Sequence, residues 1–164
     1  MPVTIDQIKE LRAETGAGVM DCRQALTESD GDIERARLLL REKGIATANK
    51  RADRTAGQGL IHSYIHGGRI GVLVDLRCET DFVAKTPQFE ELAHDIAMQV
   101  ASMNPASVSA DNMPDDADEG AVALLDQEFI KDGSQTIADR INDVIASIGE
   151  KIEVARFTRY EMGE

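Results

Sequence analysis

The stretch Arg77-Cys78-Glu79-Thr80-Asp81-Phe82-Val83-Ala84-Lys85, followed at once by Thr86-Pro87, decides the fold. Upstream, Arg69 to Glu79 reads as a β-strand, because Val72, Val74, Leu76 and Cys78 alternate onto one face. Downstream a helix begins: threonine is a good N-cap, and proline suits the first helical turn. A short corner joins the two, carrying one aromatic side chain, Phe82, beside a carboxylate, Asp81. Phe82 has two readings. It staples the helix start to the core, or it stands out as a contact for a partner. Spacing alone favours the staple, because exposed aromatics at corners are the minority case.

Working outward, the strand has a partner. Leu60 to His66 and Arg69 to Glu79 flank Gly67-Gly68, a turn of the kind that favours primed hairpin geometry. His62 and His66 share a face of the first strand but stand about 13 Å apart at roughly 3.3 Å per residue. One metal ion cannot hold both. After Thr86 a long helix is predicted to run to Met103, with Phe89, Leu92, Ile96, Val100 and Met103 as its core stripe and His94 and Gln99 off it. Residues 104 to 120 read as a loop whose acidic run, Asp111 to Glu119, is solvated. A short helix over Ala121 to Phe129 is expected next. Ser134 then caps a helix carrying Ile137, Ile141, Val144, Ile145 and Ile148, ended by Gly149. A last strand, Lys151 to Tyr160, completes a three-stranded antiparallel sheet. The core, residues 58–164, is therefore α+β.

Residues 1–45 read as a separate three-helix module. Ile5, Ile8 and Leu11 share a face of the first helix, which stops at Thr15-Gly16-Ala17-Gly18. The second covers Val19 to Glu28, with Cys22, Ala25 and Leu26 inward. The third follows the capping segment Ser29-Asp30-Gly31-Asp32, uses Ile33, Ala36, Leu39 and Leu40, and is expected to end at Gly44. Residues 46–57, where periodicity fails and Lys50, Arg51 and Arg54 cluster, read as a linker and solvated hinge. Val19 and Met20 are adjacent and cannot both point inward from one narrow stripe, so at least one is exposed beside the Gly-rich turn.

Charge is unevenly placed. The first 55 residues carry ten basic and ten acidic side chains, so the rest of the 164-residue chain holds all of its net charge of −12. Such an acidic body repels phosphate backbones, and no basic stripe interleaved with aromatics appears, so direct nucleic-acid binding is not expected. No apolar run approaches the roughly 18 residues needed to span a membrane. The start, Met1-Pro2-Val3-Thr4-Ile5-Asp6, has neither a charged nor an apolar leader region, and a cytoplasmic protein is expected. Cys22 and Cys78 fall in different modules, each within an apolar pattern, and read as small core residues.

The run Arg77 to Lys85 resembles the signature of elongation factor Ts, the guanine-nucleotide exchange factor for the translational GTPase elongation factor Tu. A second stretch, Leu11-Arg12-Ala13-Glu14-Thr15-Gly16-Ala17-Gly18-Val19-Met20-Asp21-Cys22-Arg23-Gln24-Ala25-Leu26, resembles the N-terminal motif of the same family, where it forms a domain similar to ubiquitin-associated domains. Ile148-Gly149-Glu150-Lys151-Ile152 and Arg156-Phe157 resemble its C-terminal core. Arg23 departs from the family's usual lysine, keeping charge but not geometry. Gln99 stands where the family often has histidine, after a matching Asp95-Ile96-Ala97-Met98.

What the resemblance implies is a non-enzymatic exchange factor whose partner is elongation factor Tu, with no cofactor and no bound metal. Thr80, Asp81, Phe82 and Val83 are the implied contacts at the corner, Phe82 wedging near the magnesium and GDP phosphates. Arg12, Val19 and Met20 are the implied contacts of the N-terminal module. The compact middle resembles the short form of the family, in which two chains pair through their sheets as a homodimer. Two other classes stand beside this one: a ubiquitin-associated-like adaptor without exchange activity, and a small hydrolase using His62 or His94. The adaptor leaves the Asp81-Phe82 corner without a role. The hydrolase lacks any nucleophile-base-acid set.

Overall fold

The computed structural model describes residues 2–164. They fall into two compact units, one holding residues up to Asp53 with Asn142–Glu150, the other Arg54–Ile141 with Lys151–Glu164. The α+β class and the three-stranded antiparallel sheet expected from the sequence are both present. Among the described residues, no helix is long and apolar enough to cross a membrane.

In the helical unit, α1 (Ile5–Thr15) starts with a capping box: Thr4 accepts from the Gln7 N–H while the Gln7 side chain accepts from the Thr4 N–H. α2 (Val19–Glu28) follows, and Asp32 caps α3 (Ile33–Arg51) by accepting from the Arg35 N–H. Leu11, Cys22, Ala25, Leu26, Ala36 and Leu40 form the core, with Ile8, Ile33 and Leu39 partly buried against it. Ile5, expected on the inner face, is exposed.

The third helix does not stop at Gly44. Ala46, Ala48, Lys50 and Arg51 are good or tolerated helix formers and carry it seven residues further, to Arg51. Gly44 itself is buried, and a Cβ there would lie 3.3 Å from the Asn142 carbonyl oxygen and 3.4 Å from the Ala146 Cβ. It is a packing glycine, chosen for close approach rather than for termination. Much of the expected linker is thus helix.

In the sheet unit the strand order is β1-β2-β5, with β1 Gln58–His66, β2 Ile70–Cys78 and β5 Ile152–Glu161. The β1–β2 turn holds Gly67 and Gly68 at φ 57° and 68°, both in the left-handed region that a primed turn needs. Val72, Val74, Leu76 and Cys78 face inward. In β5 the pairing slips between Asp75 and Leu76, which oppose Arg156 and Val154, so Ala155 is an extra residue. A one-residue slip exchanges the faces, and the burial pattern records it: Ile152 and Val154 point inward before the bulge, Phe157 and Arg159 after it.

A one-turn helix, α4 (Asp81–Ala84), fills the corner, and α5 (Pro87–Met103) follows. Phe89, Leu92, Ile96 and Val100 are fully buried as the stripe predicts, whereas Met103, on the last turn, is half exposed. The helix expected over Ala121 to Phe129 is instead a single 3-10 turn, Leu124–Asp126, leading into a small hairpin of β3 (Glu128–Phe129) and β4 (Asp132–Thr136). The Ser134 hydroxyl is accordingly not a helix cap; it donates to Asp132. The cap of α6 (Ile137–Ile148) is Thr136, whose hydroxyl accepts from the Asp139 N–H while the Asp139 carboxylate accepts from the Thr136 N–H. Two buried polar groups on α5 hold this region. Gln99 donates to Gln127 Oε1 and to the Glu128 carbonyl and accepts from the Ile130 N–H at 2.9 Å. Asp95 accepts from Lys131 at 2.6 Å and from Arg140.

Candidate partner-binding corner

The corner is assembled by hydrogen bonds that the sequence supplies in order. β2 ends at Cys78, whose buried thiol donates to the Thr80 carbonyl at 3.1 Å. Thr80 is extended, at φ −123° and ψ 153°, and its hydroxyl accepts from the Val83 N–H, which makes it the N-cap of α4. Thr86 closes the other side: its hydroxyl donates to the Val83 carbonyl at 2.8 Å and accepts from the Phe89 N–H at the start of α5. Behind the corner, Glu79 accepts the Lys151 N–H at 2.7 Å and an Arg54 guanidinium at 3.3 Å, tying the end of β2 to the start of β5. Of the one turn itself only Ala84 is buried.

Phe82 is 83 % exposed. It therefore does not staple α5 to the core, and the reading that spacing alone favoured is overturned. With its backbone held by two threonine caps, the ring projects from a fixed base. Asp81 is exposed beside it and accepts from Lys85 Nζ at 3.1 Å, an i,i+4 surface pair. Val83 is half buried. Thr80, Asp81, Phe82 and Val83 are thus gathered into one small exposed knuckle.

In the helical unit, Arg12, Val19 and Met20 flank the turn between α1 and α2. Gly16 ends α1 in the left-handed conformation, and its carbonyl accepts from the Ser147 hydroxyl at 2.8 Å. Both Val19 and Met20 are exposed, at 49 % and 70 %, although only one needed to be. Arg12 is exposed on the last turn of α1. Cys22, one residue past Asp21, is fully buried, and burial pushes its thiol pKa up. Gln99 reaches no surface, so it is an internal clamp rather than a contact residue.

Sequence reasoning passed over Glu79 as a brace and Thr80 as a cap, although threonine before a four-residue Asp-Phe-Val-Ala turn carries the signal. It also named no residue on the outer face of the sheet. Ile61, Ile65, Leu73 and Tyr160 are all exposed there, and the register brings Ile65 and Tyr160 to either side of Gly71, two residues along β2 from Leu73 and so on the same face. Strand alternation predicts that face directly. Next to this apolar patch, Arg77 chelates Asp75 through Nε and Nη2 at 3.1 and 3.0 Å, with Arg156 nearby. The hydrogen bond from Arg77, then the charges of Arg77 and Arg156, holds the Asp75 carboxyl below its ordinary pKa against the opposing cost of burial.

Fold and site together define an α+β protein whose candidate working parts are exposed surfaces, a braced aromatic knuckle and an apolar sheet face. Comparison with known proteins agrees in kind. The family model for elongation factor Ts matches residues 40–120. Elongation factor Ts of Moorella thermoacetica is 47 % identical, over 96 % of this chain and 94 % of its own length. Those of Coprothermobacter proteolyticus, at 43 % with both chains fully covered, and Thermotoga neapolitana, at 44 % over 100 % and 99 %, are similarly close. The chain belongs to the elongation factor Ts family of translation elongation factors. The Coprothermobacter alignment runs over 197 positions against 164 residues here, so that relative contains segments this chain lacks.

Proposed function

We propose that this chain binds elongation factor Tu in its GDP-bound form and promotes release of the nucleotide, without catalysing a chemical reaction, in the cytoplasm. The observation that carries the reading is the exposure of Phe82 on a base it cannot retract into. An aromatic ring fixed in solvent stabilises nothing in the free protein; its natural use is insertion into a partner, where such residues dominate binding energy. Phe82 enters between helices of the GTPase near the magnesium and phosphate groups, with Asp81 beside it and Thr80 and Val83 holding the approach. Arg12, Val19 and Met20 of the N-terminal module grip the same GTPase. The sheet-containing core also serves dimerisation.

Exchange requires differential binding. The factor holds nucleotide-free elongation factor Tu more tightly than the GDP-bound form, and linkage makes GDP weaken the factor's hold by the same ratio. Release of a fluorescent GDP analogue from elongation factor Tu, followed with and without this protein, is the direct test. Acceleration that saturates with factor is expected. An adaptor working through α1–α3 alone would bind equally with and without GDP and leave the release rate unchanged, which would overturn the exchange reading.

A further inference from the structure

His62 on β1 and His94 on α5 face one another. Nε2 of His62 lies 3.1 Å from Nδ1 of His94, with ring centroids 5.3 Å apart and planes at 86°. The Tyr64 ring packs edge-on to His94 at 5.5 Å, and its hydroxyl lies 3.0 Å from His66 Nδ1, so His94 is oriented while His66 is engaged elsewhere. Glu90 is exposed four residues before His94, hence on the same face of α5, and its charge acts on the His62 imidazole.

We propose that His62 and His94 form a two-imidazole site for a divalent first-row transition-metal ion of the zinc class, with Glu90 as third donor and water completing the shell. Imidazole nitrogens suit zinc, copper and nickel. Zinc–nitrogen bonds of about 2.0–2.1 Å at a tetrahedral angle place two ligand nitrogens about 3.3 Å apart. The observed 3.1 Å is within a few tenths of an ångström of that separation, and both rings must also turn so that their lone pairs leave the N···N line and converge on the ion. Without metal, one facing nitrogen donates its N–H to the other. Binding needs both lone pairs, so the donor ring keeps its proton on its other nitrogen, and no net proton is lost from two neutral imidazoles.

No three His, Cys, Asp or Glu side chains already stand at metal-holding distance among the described residues. Glu90 therefore joins by turning its exposed side chain, and the pair alone supplies most of the affinity. The hydrolase reading of His62 and His94 is replaced by a structural one: the ion would clamp β1 to α5, the helix that begins immediately behind the Phe82 knuckle. The exchange reading is not needed for this inference.

Calorimetric titration of the full chain with Zn²⁺, in millimolar Mg²⁺ to occupy the acidic loop, tests it. One equivalent is expected to bind. His62→Gln and His94→Gln should each weaken binding by roughly tenfold or more, Glu90→Gln by less, and His66→Gln should leave it unchanged. X-ray absorption on the zinc-loaded parent chain, which depends on no variant folding, should find two imidazoles in the first shell. Absence of Zn²⁺ binding under excess Mg²⁺, histidine variants that both bind as tightly as the parent, or a first shell without two imidazoles would each overturn the site.

Discussion

Phe82 and Gln99 show how differently two side chains of one element pair are used. Phe82 is exposed in the free chain, so Phe82→Ala should change folding stability by no more than about 0.5 kcal/mol, as for other surface substitutions. A hot-spot aromatic is worth at least about 2 kcal/mol; if that contact is fully expressed in the exchange transition state, GDP release slows by roughly thirtyfold. A denaturation midpoint and a release rate on the same preparation check both halves, and a large stability loss or an unchanged rate would remove the wedge. Asp81→Ala should act in the same direction and more weakly, since rim charges contribute less. Gln99 is the reverse case. It satisfies the Ile130 N–H and the Glu128 carbonyl inside the protein. Gln99→Ala strands both and leaves a cavity, with an expected cost of about 2–4 kcal/mol. Measured well below its lowered melting temperature, its exchange rate should match the parent's.

At the scale of elements, what was legible was whatever left a period in the sequence. The α5 stripe, the Gly67-Gly68 hairpin and the inward alternation of β2 follow from residue order alone. The continuation of α3 did not, because Gly44 serves packing against Asn142 and Ala146 and only tertiary structure distinguishes that from a helix stop. The β3–β4 hairpin was also invisible: Asp132-Gly133-Ser134-Gln135-Thr136 has no apolar alternation, and polar contacts from far along the chain secure it, Gln99 to the Glu128 carbonyl and Asp95 to the hairpin's own Lys131. The site was half legible. Strand, cap and helix around residues 77–87 were readable, but a buried staple and an exposed ring have the same spacing, and only the exposure of Phe82 removed the staple. The β1–α5 contact was missed for the same reason, and it carries a pH signature. His62 is faced by His94, against whose ring Tyr64 packs, with Glu90 acting on it. Burial first, then His94, depresses its folded pKa. Above its unfolded pKa of about 6.5 both states are neutral and pH has no effect. As pH falls from there towards the lowered folded value, the unfolded chain takes up a proton that the folded one resists, so stability drops. Urea midpoints across this window should fall with pH in the parent and flatten in His62→Gln. Asp75, held low chiefly by the Arg77 hydrogen bond, adds a second loss as pH drops through and below about 4.

For the whole molecule, the outer sheet face is the feature that a single chain leaves uncovered. Ile61, Ile65, Leu73 and Tyr160 stand exposed on it, while the neighbouring Asp75 is neutralised by Arg77 and Arg156. Contiguous exposed apolar surface of this kind is costly to leave in water and marks an association site. A second copy is a natural cover, because a two-fold interface uses the same patch on both chains and flat sheet faces pack about 10 Å apart. The expected species in sedimentation over a concentration series is a homodimer of twice the 17.9 kDa chain mass, its population rising with concentration. Leu73→Glu is the sharpest probe. Leu73 is on the central strand, opposite Ser63 and Thr158, and its side chain is exposed in the free chain, so the carboxylate costs the monomer fold little. In the dimer two-fold symmetry counts the substitution twice, burying two unpaired charges whose desolvation the apolar patch cannot compensate. The variant should sediment as a monomer with the parent's denaturation midpoint measured at high dilution. A parent chain that stays monomeric at every concentration while still accelerating GDP release would mean that this face has another use.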